Sequence, residues 1–181
     1  MDLPYGDTRN AKFITGVGLI TTTGPHGPNI MSSEGTHLVS YQPGLVTISI
    51  GNGKPTWENL KATKEFGISL ASEGQEQVVL VSGRNSGKNV NKIAVLKDLG
   101  IKFSNAKHIK AQLVDGAALH IEAKIIAEHL VGDHTIFVGQ VLEATEFNKK
   151  PLAYHQGQLL RVSPVAWPAM PEELVKKHAK K

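Results

Sequence analysis

Apolar and polar residues alternate along one long segment of the sequence. From 119 to 129, one set comprises Leu119, Ile121, Ala123, Ile125 and Ala127, and the other comprises His120, Glu122, Lys124 and Glu128. Because successive side chains of a strand point to opposite faces, this period of two predicts a strand with one buried and one exposed face. A second strand is predicted over 135–143, and Gly132-Asp133 between the two makes a hairpin the simplest connection.

β-Branched residues and turn signals predict further strands. Residues 13–23 read as a strand, and Gly24-Pro25-His26-Gly27-Pro28 supply a dense turn before a second strand at 29–33. Alternation and flanking turns predict the remaining strands at 37–41, 45–50, 66–71 and 158–162. The first third of the chain therefore reads as an antiparallel meander.

Four helices are predicted. Thr56 as N-cap and Glu58 in the first turn indicate a helix over 56–64. Apolar spacing and proline position indicate the others at 73–81, 90–99 and 172–178. Three prolines between Ser163 and Pro171 disfavour regular structure there, so we expect a domain at 1–163 and a C-terminal arm at 164–181.

This pattern of elements predicts the fold class. Many antiparallel strands, few helices and no βαβ alternation indicate a mainly β protein with flanking helices, an antiparallel barrel rather than a doubly wound nucleotide fold. A length of 181 residues suits one such domain.

Composition narrows the chemistry. Hydrophobic residues make up 40% and charged residues 20%, without a long apolar run or signal-peptide pattern, which predicts a folded cytoplasmic protein that enters no membrane. The net charge of +4 is matched by the lysines of the tail from Lys176 to Lys181, so we expect no nucleic-acid partner. Cysteine is absent, and redox chemistry would therefore need a bound cofactor.

Two glycine-rich loops are candidate anion sites. Gly83 to Asn89 resembles a P-loop but is one residue short between its glycines and lacks the Ser/Thr that would bind magnesium. Gly51-Asn52-Gly53-Lys54-Pro55-Thr56 is the better candidate, because its backbone can approach a ligand and the following helix presents free N–H groups. The alternative is a plain strand-to-helix turn with Thr56 as N-cap, and the Ser86-Gly87-Lys88 loop has the corresponding alternative of a solvated helix start.

Other chemistries lack their motifs. The histidines have no metal-ligand spacing, so no metal site is expected, and there is no G-x-S-x-G for a hydrolase. His134 differs from the other histidines in following Asp133 at the predicted hairpin.

Four segments together resemble the flavin reductase-like, FMN-binding split-barrel family. They are Pro28–Ser33, the stretch from Leu45 through Gly51 to Leu60, Ser86–Ile93, and Gly132–Val141 followed by Pro151-Leu152-Ala153-Tyr154. The last is similar to the family's G-D-H-T-x-F-V-G-x-V almost residue for residue. The third departs from the family's S-G-R-x-x-D-K-F at Lys88, Asn91 and Ile93. The likeness extends over residues 13–162.

The resemblance implies a six-stranded antiparallel split barrel of Greek-key type, normally a homodimer with FMN near the interface. It implies an NAD(P)H-dependent reductase that passes electrons to an oxygenase or to ferric iron. An FMN-holding electron carrier similar to flavoredoxin and a non-catalytic binding module remain alternatives.

The resemblance also implies roles for individual residues. FMN and NADH or NADPH would bind the chain, with nicotinamide C4 stacked on flavin N5 at about 3 to 3.5 Å. His134 is the expected catalytic residue, positioning the hydride donor together with Gly132 and Asp133. The expected FMN-binding residues are Asn29, Met31, Ser32, Ser33, Ser49, Gly51, Lys54, Thr56, Asn59, Ser86, Gly87 and Lys92.

Overall fold

A computed structural model of the chain describes residues 1–4 and 6–179. Lys180 and Lys181 of the basic tail lie outside the described residues. In chain order the strands are β1 (Thr15–Gly16), β2 (Gly18–Thr22), β3 (Asn29–Ser33), β4 (Thr36–Tyr41), β5 (Gly44–Gly51), β6 (Glu65–Leu70), β7 (Phe103–Asn105), β8 (Gln112–Val114), β9 (Leu119–Val131), β10 (His134–Glu146), β11 (Leu152–His155) and β12 (Gln158–Arg161). The α-helices are α1 (Pro55–Thr63), α2 (Glu76–Arg84), α3 (Lys92–Asp98) and α4 (Glu172–Lys177).

The main sheet has seven strands in the order β3-β2-β6-β9-β10-β5-β4, all paired antiparallel. The predicted mainly β, antiparallel fold with flanking helices is therefore confirmed, whereas the six-stranded count differs from the seven strands here. The two ends of the sheet approach one another, since Ser49 N donates to Gly35 O at 2.8 Å and Ser33 Oγ to Ser49 O at 3.5 Å. The sheet consequently curls around its inner face.

Apolar side chains fill both faces of this sheet. Inside the curl, Ile20 of β2 packs in one cluster with Phe66 of β6 and Phe137 of β10. Leu19, the neighbour of Ile20, belongs to a second cluster beneath α2, α3 and β11. This double burial explains why β2 is buried at every position.

The predicted strand over 13–23 is wrong in one respect, because the chain changes sheet at Val17. β1 pairs with β11 in a small three-stranded sheet, whereas β2 pairs with β3 and β6. Between them, Val17 O accepts a hydrogen bond from Ala71 N at 2.9 Å, and Val17 itself is buried. The helix predicted over 73–81 is also displaced along the chain.

The displaced helix is α2, which begins at Glu76. Residues before it are held by other contacts: Ser72 N donates to Gln75 Oε1 at 3.0 Å, and Glu73 N donates to Lys150 O at 3.0 Å. The local contact of Ser72 and the contact of Glu73 to Lys150 use backbone N–H groups of this segment outside the helix. α2 also ends later than predicted, at Arg84, which the sequence pattern places in a loop.

The long hairpin is as predicted, with β9 and β10 paired from Val131↔His134 to Leu119↔Glu146. The predicted exposed face of β9 is wrong at its start, because His120 and Glu122 are buried. The segment that contains β7 and β8 covers them: His120 Nε2 donates to Val114 O at 2.7 Å, and Glu122 accepts from the backbone N–H groups of Lys107 and His108 at 2.9 and 2.6 Å.

The segment predicted as a C-terminal arm has no regular structure between β12 and α4. Its apolar side chains lie in solvent, with Val165 87% and Trp167 95% exposed. In the described part of the chain, no helix is both long and apolar enough to cross a membrane.

Candidate functional site

A cleft of about 1330 Å³ opens between the main sheet and the ends of α1 and α2. β3 and the start of α1 line it together with the loop after α2, and the hairpin turn before β10 borders it. Of the expected site residues, the cleft contains Asn29, Met31, Ser32, Ser33, Ser49, Gly51, Lys54, Thr56, Ser86, Gly87, Lys92, Asp133 and His134. Asn59 and Gly132 are not among the residues that line it.

Asn29 links three chain segments at the inner end of this cleft. Its Nδ2 donates to Thr56 Oγ1 at 2.8 Å, and both residues are buried. A Cβ at Gly87 would lie 2.6 Å from Asn29 Oδ1, so only a glycine permits the 86–87 loop to approach this closely. β3, α1 and the loop after α2 therefore meet around one side chain. We call these three residues, Asn29, Thr56 and Gly87, together with the buried Lys92 that lines the same cleft, the inner corner.

Lys92 supplies a buried positive charge at the inner corner. Its side chain is only 4% exposed, and its Nζ donates to Ser82 O at 3.1 Å. No carboxylate of the described residues pairs with it. Burial lowers the pKa of Lys92 to about 8, because transfer out of water disfavours the ammonium. An anionic ligand would restore the solvation that this cation lacks.

The start of α1 adds further donors. Lys54, not the predicted Thr56, is the N-cap; Pro55 follows it, and Thr56 occupies the second helical position. The first backbone bond back to the cap comes from Glu58 N to Lys54 O at 3.0 Å, which leaves the earlier N–H groups available to a ligand. Because Thr56 Oγ1 accepts from Asn29, its own proton is free to be donated toward the cleft.

The loop before α1 is fixed to the hairpin turn before β10. Trp57 Nε1 donates to Thr135 Oγ1 at 2.9 Å, and Thr135 in turn donates to Asn52 Oδ1 at 2.7 Å. Asn52 N also donates to Asp133 O at 3.0 Å. The two loops consequently form one rigid wall of the cleft.

His134 lies on this wall beside Asp133. Its Nδ1 donates to Asp133 Oδ1 at 2.7 Å, and this contact lowers the pKa of the aspartate. A Cβ at Gly51 would lie 3.7 Å from both His134 Nε2 and Lys54 Cε, so these side chains flank Gly51 on the cleft side. With Nδ1 used as the donor to Asp133, Nε2 of the neutral imidazole is left as an acceptor.

Asn59 has a different place from the one expected. It is fully buried, donates to Thr22 Oγ1 at 3.1 Å and Gly27 O at 3.0 Å, and accepts from His26 N at 3.0 Å. Its amide thus joins α1 to the turn between β2 and β3, behind the cleft.

Sequence reasoning missed several residues that line the cleft. Burial raises the pKa of Glu34, which follows β3 and faces the cleft without an ion-pair partner in the described chain. The others are Gly6, Thr8, Asn10, Phe13, Gly35, Ser82, Gln156 and Gly157. Six more lining residues lie in segments that the sequence singles out, but they were given no role of their own: Asn52, Pro55, Gly83, Arg84, Asn85 and Tyr154. Gln156-Gly157 is a recognisable turn dipeptide, but no local signal places that turn near β3.

The described residues contain no group of three or more His, Cys, Asp or Glu side chains that could hold a metal ion. The cleft instead combines a buried cation, helix N–H groups and close-fitting glycines, which is the donor set that a phosphate requires. A flavin mononucleotide carries such a group, and the residues present fit it.

Comparison with known proteins decides the family. Residues 10–163 match the family described as flavin reductase like domain. This chain belongs to that family. Its fold is similar to a solved NADH:FAD oxidoreductase from Streptomyces globisporus, with a TM-score of 0.79, 27% identity and coverage of 91% of this chain and 98% of the other. A structure of the same oxidoreductase with NAD and FAD fragments gives a TM-score of 0.77 at 27% identity, covering 92% and 99%.

Two sequence relatives within the family are informative. An FMN reductase (NADH) from Agrobacterium fabrum is 29% identical over 157 residues, which covers 86% of this chain and 84% of the relative. The reductase subunit of a flavin-dependent monooxygenase from Mycobacterium tuberculosis is 24% identical over 156 residues, covering 84% and 79%.

Proposed function

We propose that this chain is an NAD(P)H-dependent flavin reductase, which transfers hydride from a nicotinamide nucleotide to a flavin. The observation that carries the proposal is the donor set of the cleft in a chain of the flavin reductase family: the start of α1 lines this cleft together with the buried Lys92, which pairs with no carboxylate of the described residues. Flavin and nicotinamide as ligands are supported by relatives named as NADH-dependent FAD and FMN reductases.

The inner corner receives the flavin phosphate. Lys92 supplies the buried charge, Thr56 donates its hydroxyl proton, and the Ser86-Gly87 backbone approaches the same place. Lys54, at the N-cap of α1, adds a second positive charge from the solvent side. A doubly charged phosphate held in this way gains charge-assisted hydrogen bonds and the favourable end of the helix dipole.

The flavin ring lies along β3 and Ser49. Met31 and Ser32 are half-buried and line the cleft. Because neighbours on a strand point to opposite faces, the ring would run along the edge of β3 and contact its backbone. Ser32 is fixed by its hydrogen bond to Val79 O at 3.4 Å. A pre-formed strand orients the ring without reorganisation of the protein.

The hairpin wall positions the hydride donor. Asp133 fixes the imidazole of His134 through Nδ1, and Nε2 then accepts a hydrogen bond from an amide N–H such as that of the nicotinamide carboxamide. When bound, the flavin supplies the hydride-accepting chemistry, and the protein contributes alignment and exclusion of water. The network from Trp57 through Thr135 to Asn52 keeps this wall in place.

We further propose that the curled seven-stranded sheet corresponds to the family's split barrel and that residues 1–163 form the flavin-binding domain, with 164–181 as an arm. A homodimer is supported by the exposed edge strand β4, where Leu38, Val39 and Tyr41 are 58%, 54% and 91% exposed. An oxygenase as electron acceptor is supported by the monooxygenase reductase subunit among the relatives.

Absorbance spectroscopy tests the proposed function. Purified protein is titrated with FMN and then mixed anaerobically with NADH or NADPH while the flavin band is followed. Bleaching with turnover supports the reductase. Bound flavin that neither nucleotide reduces would make the chain an electron carrier, and absence of flavin uptake would overturn both assignments.

A further inference from the structure

Arg84 differs from the other two arginines in having no acidic partner among the described residues. Arg9 pairs with Asp7 at 2.6 Å, and Arg161 lies 4.0 Å from Glu73. Within residues 1–4 and 6–179, no carboxylate pairs with Arg84, yet its side chain lines the cleft. A guanidinium left unpaired beside a concave site is available to an anionic ligand.

The backbone that carries Arg84 is fixed. Arg84 is the last residue of α2, and the following Asn85 donates from Nδ2 to Val81 O at 3.0 Å, which secures the end of the helix. A Cβ at Gly83 would lie 2.4 Å from Ser32 Oγ, so the helix end is pressed against β3. Arg84 therefore extends from a rigid base, and only its side chain must order when a ligand binds.

Two cations line the cleft near one another in the chain: Lys92 is buried, and Arg84 is exposed. Lys92 is only 4% exposed, and its Nζ donates to Ser82 O, two residues before Arg84. Arg84 is exposed and lines the same cleft. A ligand whose first phosphate contacts Lys92 would therefore bring the next phosphate toward Arg84.

We propose that Arg84 binds the outer phosphate of a flavin dinucleotide and so determines how well the cleft accepts FAD relative to FMN. The inference rests on the proposed function and extends it to the choice of flavin. FMN ends at one phosphate, whereas FAD continues through a second phosphate to adenosine. The cleft volume of about 1330 Å³ exceeds the roughly 300 to 1,000 Å³ of an ordinary small-molecule pocket, which leaves room for the longer ligand.

A diphosphate could also come from the nicotinamide nucleotide. The flavin is the better source, because Arg84 ends α2 and Lys92 begins α3, so the two cations flank the loop that contains Ser86 and Gly87. The nicotinamide is proposed to bind at Asp133 and His134, on the wall formed by the β9–β10 hairpin. The two sources give different results in the test.

Flavin affinities separate these possibilities. Dissociation constants for riboflavin, FMN and FAD are measured by fluorescence titration in the wild type, Arg84→Ala, Arg84→Lys and Lys88→Ala. Lys88 is the matched control, since it is exposed on the same loop, lies 3.9 Å from Glu58 and does not line the cleft.

Arg84→Ala should weaken FAD roughly ten- to hundredfold, the effect of losing a charge-assisted hydrogen bond, and should change FMN and riboflavin less than about threefold. Arg84→Lys should recover part of the FAD affinity, because it restores the charge without the bidentate geometry. Lys88→Ala should leave all three affinities unchanged.

Several outcomes would overturn the proposal. Equal weakening of FMN and FAD would place Arg84 on the inner phosphate. Unchanged flavin affinities with a raised KM for NADH would assign it to the nicotinamide nucleotide, and unchanged values throughout would remove any ligand role. A wild type that binds none of the three flavins would instead contradict the proposed function itself.

Discussion

Lys92 is buried and pairs with no carboxylate in the described part of the chain, and this combination makes flavin binding depend on pH. Burial lowers its pKa to about 8, so the unliganded protein loses this proton as the pH rises through about 8. A bound phosphate favours the charged ammonium and raises the pKa again. Above pH 8, FMN binding must therefore take up a proton.

The affinity for FMN should accordingly fall by up to about tenfold per pH unit above about pH 8, while riboflavin, which lacks the phosphate, shows no such change. Titrations of both flavins from about pH 7 to about pH 9 provide the measurement. Lys92→Met should weaken FMN at the lower pH and remove the pH dependence. A parallel decline for riboflavin would show that another group is titrating.

The folded-state pKa of Lys92 also has a consequence for stability. It lies below the unfolded value of 10.5, so the unfolded chain binds more protons between the two pKa values. The contribution of Lys92 to the free energy of unfolding therefore rises as the pH increases from about 8 toward 10.5, and Lys92→Met should lack this contribution.

His134 offers a second residue-scale prediction. If its Nε2 orients the nicotinamide, His134→Ala should leave FMN binding within about twofold of the wild type and slow flavin reduction by about tenfold or more, through KM, kcat or both. Stopped-flow reduction of the FMN-loaded protein measures this. His134→Gln, which retains a polar side chain, is the matched variant and should lose less.

A purely structural role for His134 predicts a different pattern. The hydrogen bond with Asp133 is exposed, with side-chain exposures of 47% and 95%, so its loss should change stability little. A His134→Ala variant that melts lower but reduces flavin at the wild-type rate would exclude the positioning role.

At the scale of elements, α1 depends on Asn59 more than on any exposed contact. The buried amide joins the helix to the β2–β3 turn through three hydrogen bonds. Asn59→Ala leaves the groups of the turn without partners and should lower the free energy of unfolding by about 2 to 4 kcal/mol. Denaturant unfolding gives the value.

FMN titration of the folded Asn59→Ala variant then separates structure from ligand binding. Because Asn59 does not line the cleft, the dissociation constant of the variant for FMN should stay within about threefold of the wild-type value. A large loss of FMN affinity with unchanged stability would restore Asn59 to the binding residues that the family resemblance implies.

The same scale shows what the sequence pattern could predict. The β9–β10 hairpin was predictable because its signals, alternation and Gly132-Asp133, are local, and the family was predictable from motifs along the chain. The burial of His120 and Glu122 was not, since it depends on β7 and β8, which contact β9 through long-range hydrogen bonds. The local sequence pattern of β9 carries no information about a distant segment that packs over it.

The inner corner, too, was predictable from the sequence only in part. Gly87 and Thr56 belong to recognisable loop motifs, so their segments could be named from the sequence. That Asn29 touches both is a consequence of the sheet order, which places β3 beside the start of α1. The displaced start of α2 has a similar origin, because Glu73, before the helix, donates its backbone N–H to Lys150, which is distant in sequence.

At the scale of the whole molecule, the body and the arm differ in how they are held. Buried clusters on both faces of the main sheet stabilise the body, whereas Val165, Trp167 and Met170 of the arm are 87%, 95% and 71% exposed. Side chains with so little contact contribute little to the free energy of folding. We therefore expect residues 1–163 to fold and bind flavin without the arm.

A chain that ends at Ser163 tests this expectation. Its melting temperature should lie within about 2 °C of the full chain, and its FMN dissociation constant should be unchanged, because no residue beyond 163 lines the cleft in the described part of the chain. Trp167→Ala in the full chain is the matched control for loss of the largest exposed side chain. A fall of about 5 °C or more on truncation would mean that the arm packs against the body in solution, and a fall that appears only at high protein concentration would place its contact on a second copy.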